Sequence, residues 1–339
     1  MHMAEASDAA APDFDAIADQ VLAGQPISRA TAAAVLESAD AELPALLHAV
    51  FRVREHYCGR RVKVCQLRNA RSGLCPEDCH YCSQSAISEA AIPRYRLDSV
   101  PELLAGARRA VASGAKRYCM VTSGRGPSDN DVDRFTTAAR AIKAEFPHLE
   151  LCVSLGLMEE PQAHLLKAAG VGWVNHNLNT SARHHPEICT THTYEDRIRT
   201  VRTVQRAGLS TCCGGIIGMG ESDADIIDLA FALRELHVDS LPLNFLIPID
   251  GTPFDHLNEL TPGRCLRALC LMRLTNPESE IRVAGGRERN LGWFQPLSLY
   301  AANSIFVEGY LTTPGQGASA AHEMIEAMGF VAEEMTYED

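Results

Sequence analysis

The chain has 339 residues, 46% of them hydrophobic and 22% charged, a balance that argues against wholesale disorder, a collagen-like fibre or a membrane bundle. With 31 basic and 43 acidic residues the formal net charge is −12, so neither nucleic acid nor an anionic membrane is an expected partner. Twelve cysteines stand out. The N-terminal stretch carries Glu5, Asp8, Asp13, Asp15 and Asp19 where a signal peptide would be apolar, and no run approaches about 18 apolar residues. A cytoplasmic protein is expected, with cysteines serving as metal ligands or reactive thiols rather than disulfides.

Residues 4–30 are Ala-rich and acidic and predict a loose helix with no site. Residues 31–57 set Leu36, Leu43, Leu46, Leu47 and Val50 near helical spacing, so 1–57 reads as a helical extension. Short β-type runs then follow at 61–67, 117–123, 149–155, 173–179, 210–217, 241–247, 280–284 and 304–307. Helical patterns lie between them near 99–113, 131–145, 160–169, 194–207, 223–236, 262–275 and 291–302. Strands alternating with helices imply right-handed crossovers and a parallel sheet. The predicted fold is an α/β (β/α)8 TIM-type barrel over 58–320, with 321–339 as a tail; an open or partly closed barrel would read the same.

The strongest motif is Cys75-Pro76-Glu77-Asp78-Cys79-His80-Tyr81-Cys82, a C-x3-C-x2-C run after the first strand. Three thiolates on one loop suit three irons of a 4Fe–4S cluster and leave the fourth iron free for another ligand. The competing reading is zinc, with His80 as fourth ligand, although zinc ligands usually come as two spaced pairs. A second motif, Gly214-Gly215-Ile216-Ile217-Gly218-Met219-Gly220-Glu221, closes the fifth strand with a glycine turn that lets backbone approach a ligand. By itself such a turn is weak evidence.

Soft ligands also scatter over separate strands: Cys119 on the second, Cys152 on the third, Cys212 on the fifth and Arg282 on the seventh. Lumen-facing residues of a barrel could converge on a second cluster. Inert burial is the competing reading for each cysteine, because free Cys is commonly buried. Arginine is an odd ligand, since it is normally a protonated donor. A register slip of one residue would turn Cys213 inward instead of Cys212. On the fourth strand Asn175, Asn177 and Asn179 share one face by period two, a costly placement unless they bind something. Cys58, Cys65, Cys189, Cys265 and Cys270 read as structural.

Together these residues resemble the biotin synthases, a family of radical S-adenosylmethionine (SAM) enzymes. The likeness runs from about Cys65 to Gly317, through segments 69–85, 118–127, 174–181, 209–221, 243–253, 282–288 and 311–314. It implies a sulfurtransferase that inserts sulfur into dethiobiotin to form biotin. In that family pattern Cys75, Cys79 and Cys82 hold a 4Fe–4S cluster that binds S-adenosyl-L-methionine and generates a 5′-deoxyadenosyl radical. Cys119, Cys152, Cys212 and Arg282 match the ligands of a 2Fe–2S cluster that donates sulfide. Asn177 and Asn244 match positions at the substrate's ureido ring or the cofactor ribose. Thr312 and Thr313 match the end that receives the valerate carboxylate. Tyr81 and the 214–221 turn, with Gly218 and Glu221, border the adenine. Asn179 matches a cofactor-binding position at the ribose, where many members carry Asp. A flavodoxin-type electron donor and a homodimer are also implied. The alternatives are another radical SAM enzyme of the same barrel type, similar to the hydrogenase maturases, or a non-catalytic zinc or iron–sulfur protein.

Overall fold

The computed structural model describes residues 12–333; residues 4–11 of the expected first helix and 334–339 of the expected tail lie outside it. The N-terminal segment makes three helices. Helix α1 (Phe14–Leu22) opens on Asp13, whose carboxylate accepts the Ala16 N–H at 3.0 Å. Gly24, at φ +73°, and Pro26 then interrupt the chain, so α2 (Arg29–Glu37) is a separate helix where one loose helix had been expected. Helix α3 (Leu43–Cys58) buries Leu46, Val50 and Val53 completely and stops at Gly59, φ +60°.

The barrel strands are β1 (Arg61–Arg71), β2 (Arg117–Thr122), β3 (Glu150–Ser154), β4 (Trp173–Asn175), β5 (Ser210–Cys212), β6 (Gly215–Ile217), β7 (Ser240–Phe245), β8 (Glu280–Val283) and β9 (Ser304–Val307). All pairings among them are parallel, and β1 pairs with both β2 and β9. The sheet is therefore closed, with β5 and β6 as two halves of one strand position. This is the predicted (β/α)8 barrel. The connecting helices are α4 (Val100–Ala112), α5 (Asp129–Glu145), α6 (Glu160–Ala168), α7 (His185–Ile188), α8 (Tyr194–Arg206), α9 (Asp223–Glu235), α10 (Pro262–Thr275) and α11 (Arg287–Leu291). After the barrel, α12 (Ala318–Ala327) leads to β10 (Val331–Ala332), which pairs with the start of β1. No helix among the described residues is long and apolar enough to cross a membrane.

Local sequence explains where these helices start. Ser99 with Glu102, Ser128 with Asp131, Thr193 with Asp196 and Ser222 with Asp225 form capping boxes at α4, α5, α8 and α9. Each pair satisfies backbone donors that the first turn leaves open.

Two strands depart most from their sequence pattern. The fourth was expected through 179, yet β4 ends at Asn175 and Asn179 sits at φ +72°. Period two therefore stops before the second and third asparagines. The fifth is interrupted at Cys213-Gly214, because the carbonyl of Pro242 crosses closely there. A Cβ on Gly214 would lie 1.9 Å from that oxygen.

A charged layer underlies the lumen. Glu280 accepts from Arg117 at 2.9 and 3.0 Å, lies 3.4 Å from Lys63 Nζ, and also accepts from Arg282. Arg117 and Arg282 are fully buried, and the Arg117 guanidinium stacks 3.7 Å over the Trp173 ring. Burial alone would raise the Glu280 carboxyl. The charges of Arg117, Arg282 and Lys63 outweigh burial and hold it well below the usual carboxylate range. A depressed folded pKa means that this contribution is complete above the unfolded value of about 4.3 and is lost as pH falls. Glu280→Gln should cost about 3–5 kcal/mol in urea unfolding at pH 7, by stranding buried guanidinium charge. The difference from the unsubstituted chain should shrink below about pH 4. Equal stability at pH 7 would show that the layer contributes nothing.

Candidate active site

A cavity of about 380 Å³ opens at the C-terminal ends of the barrel strands. The loop after β1 contributes Cys75, Cys79 and Cys82 to its wall, with Tyr81 between them. Burial pushes the Cys82 thiol up to about 11 and raises Cys75 as well. Cys79 is raised because its Sγ donates to the Cys189 sulfur at 3.7 Å. His80, the fourth ligand that the zinc reading needed, packs edge-on against Phe254 at 5.3 Å.

Two acids inside the cysteine motif clamp its loop. Buried Glu77 accepts from Thr191 Oγ1 at 2.7 Å, from Arg125 at 3.1 Å and from His192 Nδ1. Asp78 accepts the backbone N–H groups of Thr190 at 2.9 Å and Thr191 at 3.2 Å. Burial opposes ionisation of both acids, but these donors overcome it and hold the two carboxyls low. The cysteine loop is thereby tied to the segment between α7 and α8. Glu77, Asp78, Thr191 and His192 were missed from sequence, although the acids flank Cys79 and the Thr190-Thr191-His192 run follows a cysteine.

Deeper in the barrel, Cys119 and Cys152 are register partners on β2 and β3. Cys119, Cys212 and Arg282 line the cavity, while Cys152 lies outside its lining with its thiol beside those of Cys119 and Cys212. Arg282 donates to Cys212 Sγ at 3.4 Å, to Ser304 Oγ at 3.0 Å and to Ser240 Oγ at 3.3 Å. The Asn175 amide donates to Cys212 Sγ at 3.4 Å. Contact with Cys152, and then the charges of Arg282 and Arg117, draw the Cys212 thiol well below its ordinary value. Cys213 points the other way, into the apolar core, where burial pushes it up to about 12. The register question thus has a geometric answer: Cys212 faces inward. Cys65 is buried 3.6 Å from Ser304 Oγ, and Cys265 and Cys270 pack in the core on α10.

The polar wall is built from the remaining candidates. Asn177, Asn179, Asn244, Thr312 and Thr313 all line the cavity. The Asn177 side-chain oxygen accepts from the Gly214 N–H at 3.1 Å and from the Asn175 amide at 3.0 Å, which leaves its own NH2 uncommitted to these contacts. Asn244 is spent on backbone, donating to Gly215 O at 3.1 Å and accepting from Gly285 N–H at 2.9 Å. Asn179 donates to the Tyr81 hydroxyl, and Thr312 Oγ1 is 2.8 Å from Ser83 Oγ. Gly218 and Glu221 are not part of this wall. The Glu221 carboxylate accepts the Gly218 and Met219 N–H groups at 2.7 Å each, so it shapes the turn that presents Ile216.

The comparisons with known proteins bear on what this arrangement is. Residues 71–233 match the model of the Radical SAM superfamily, and residues 242–331 match the Biotin and Thiamin Synthesis associated domain. Biotin synthase of Geobacillus thermodenitrificans is 52% identical over 322 residues, which is 95% of this chain and 97% of that one. Biotin synthase of Bacillus subtilis is 50% identical over 317 residues, 94% of each. The chain belongs to the biotin synthase family. Biotin synthase of Rhodopirellula baltica, 50% identical over 317 residues, covers 94% of this chain and 88% of its own length. Two solved structures share the family's barrel. Methylornithine synthase superposes with a TM-score of 0.83 at 19% identity, covering 94% of this chain and 98% of its own. The FeFe-hydrogenase maturase HydG from Carboxydothermus hydrogenoformans gives 0.80 at 16% identity, covering 96% and 80%.

A biotin synthase with a radical SAM domain is an enzyme, and that domain implies a 4Fe–4S cluster and SAM. The cavity fits both. It offers three cysteine sulfurs on one loop and a wall of amides and hydroxyls, with Leu67, Val121 and Phe306 as apolar neighbours. The Gly214 crossing positions Cys212 and Asn177 together. Gly214→Ala should therefore cost about 1–3 kcal/mol in thermal unfolding through the clash with Pro242 O. An unchanged melting temperature would mean that the strand pair tolerates the added methyl and does not set Cys212.

Proposed function

We propose that the chain converts dethiobiotin to biotin by radical sulfur insertion, as a cytoplasmic homodimer fed electrons by a flavodoxin-type donor. The observation that carries this reading is the convergence of Cys119, Cys152, Cys212 and Arg282 beneath the C-x3-C-x2-C loop, in and behind one cavity. A radical SAM enzyme with only the first cluster would not need that second set. When bound, the 4Fe–4S cluster with SAM supplies hydrogen-abstracting radical chemistry and the 2Fe–2S cluster supplies sulfur.

The chain's own residues hold and orient these groups. Cys75, Cys79 and Cys82 are the ligands of the first cluster, with Glu77 and Asp78 bracing their loop against the Thr190–His192 segment. Cys119, Cys152, Cys212 and Arg282 are the ligands of the second. Arg282 is held in place by Ser304, Ser240 and Glu280 rather than by packing alone. The free amide NH2 of Asn177 suits a neutral urea, whose carbonyl oxygen can accept from it. Asn244 holds the β6 and β8 ends at the spacing that the ring must fit. Thr312 and Thr313 offer hydroxyl donors to the substrate carboxylate. Tyr81, Asn179 and Ile216 form the adenosine side, and Glu221 braces the turn behind Ile216 through the Gly218 and Met219 N–H groups. Leu67, Val121, Ile216 and Phe306 line the same cavity and keep water from reactive species.

Two variants test this division of labour. Cys79→Ala should abolish reductive cleavage of SAM; retained cleavage would contradict the first ligand set. Cys152→Ala should lower biotin formation by at least about tenfold while SAM cleavage continues. Undiminished biotin output would contradict the second set.

A further inference from the structure

Cys189 and His192 lie outside both ligand sets, yet they stand against one of them. Among the described residues, Cys79 Sγ, Cys189 Sγ and a His192 ring nitrogen lie within 4.8 Å of one another, and all three residues are buried. Cys75, Cys79 and Cys82 do not form such a group. The spacing matches a particular ion. Zn–S bonds of about 2.3 Å and Zn–N bonds of about 2.0–2.1 Å at tetrahedral angles require sulfurs about 3.8 Å apart and sulfur to nitrogen about 3.5 Å. The Cys79–Cys189 sulfurs are 3.7 Å apart, and Cys189 Sγ is 3.4 Å from His192 Nδ1 and 3.7 Å from Nε2.

The surroundings are those of a zinc site as well. Glu77 accepts from His192 Nδ1, and Cys189 Sγ lies beside both ring nitrogens; with Nδ1 held by the carboxylate, Nε2 is the nitrogen left for a metal, as in the carboxylate–histidine arrangement common behind metal-bound imidazole. Asp78 Oδ1, 3.1 Å from Cys189 Sγ, is the nearest further donor. Backbone N–H groups of Thr190 and Thr191 hold Asp78 in place. A cluster of four irons spreads its ligands more widely than one ion does, so the two occupants make different demands on the same loop.

We propose that the chain lacking its first iron–sulfur cluster binds one zinc ion on Cys79, Cys189 and His192, and that zinc there blocks loading of that cluster. The binding part stands on geometry alone. The blocking part rests on the reading of Cys79 as a cluster ligand. One residue is claimed by both occupants, so the two states exclude each other. Both thiols bind as thiolates, and their protons leave to solvent without any change of oxidation state.

The test uses the full chain stripped of iron anaerobically, titrated with zinc chloride against a chromophoric chelator. Cys189→Ser and His192→Ala should each weaken one zinc equivalent by at least about tenfold, and Cys75→Ala and Cys82→Ala should leave that equivalent in place. Far-UV circular dichroism identifies any variant that fails to fold. Cobalt titrated into the unsubstituted chain is a second readout that needs no variant. It should give a tetrahedral spectrum with thiolate charge-transfer bands. Zinc retained in both Cys189→Ser and His192→Ala, or lost in Cys75→Ala or Cys82→Ala, overturns the site. For the blocking claim, zinc added before iron and sulfide should lower uptake by about four irons per chain, and Cys189→Ser should restore it. Uptake unaffected by zinc overturns that claim. A chain that binds zinc as described but takes up no iron under any condition would contradict the sulfur-insertion reading and leave the zinc site standing.

Discussion

Closure of the parallel sheet, through the pairing of β1 with β9, is the constraint on which the site depends. A closed parallel barrel points every strand's C-terminal end at one mouth and alternate side chains into one lumen. Residues more than 200 positions apart, such as Cys75 and Thr313, then share a wall without any local sequence relation. The lumen of an ordinary barrel is filled with branched apolar residues. Here the lumen instead carries cysteines, amides and an arginine.

That substitution has an electrostatic cost. A guanidinium without exposure at Arg282 is tolerable only with paired charge and good hydrogen bonds. Glu280 provides the charge, and Ser304 and Ser240 provide the bonds. Arg117 and Lys63 share the same carboxylate, so the layer beneath the lumen is one network rather than a set of pairs. The arrangement holds Arg282 beside Cys212. The cysteine loop above is held in the same manner, by Glu77 and Asp78 against the Thr190–His192 segment.

Much of this was legible in the sequence. Short β-type runs of four to eight residues between amphipathic helical patterns led directly to the barrel. The C-x3-C-x2-C spacing located the loop, and the scattered cysteines fell in and behind the lumen. Asn175, Asn177 and Asn179 share the cavity as their spacing implied, but the strand ends at Asn175, because the backbone turn at Asn179, φ +72°, is invisible in a run of asparagines. The break at Gly214 was hidden for a related reason: it depends on the carbonyl of Pro242, far away in sequence. His192 and Cys189 looked unremarkable because their partners, Glu77 and Cys79, are more than 100 residues earlier. Glu221 was legible as part of a motif, but its role as a brace for Gly218 and Met219 is a matter of local hydrogen bonds.

The proposed function requires two different clusters held by seven side chains of one barrel. Iron and acid-labile sulfide per chain after anaerobic reconstitution, with zinc measured alongside, test it most directly. The account predicts about six irons and six sulfides per chain, the sum of a 4Fe–4S and a 2Fe–2S cluster. About four of each would contradict the second cluster and with it sulfur insertion, and zinc without iron would contradict the radical chemistry altogether.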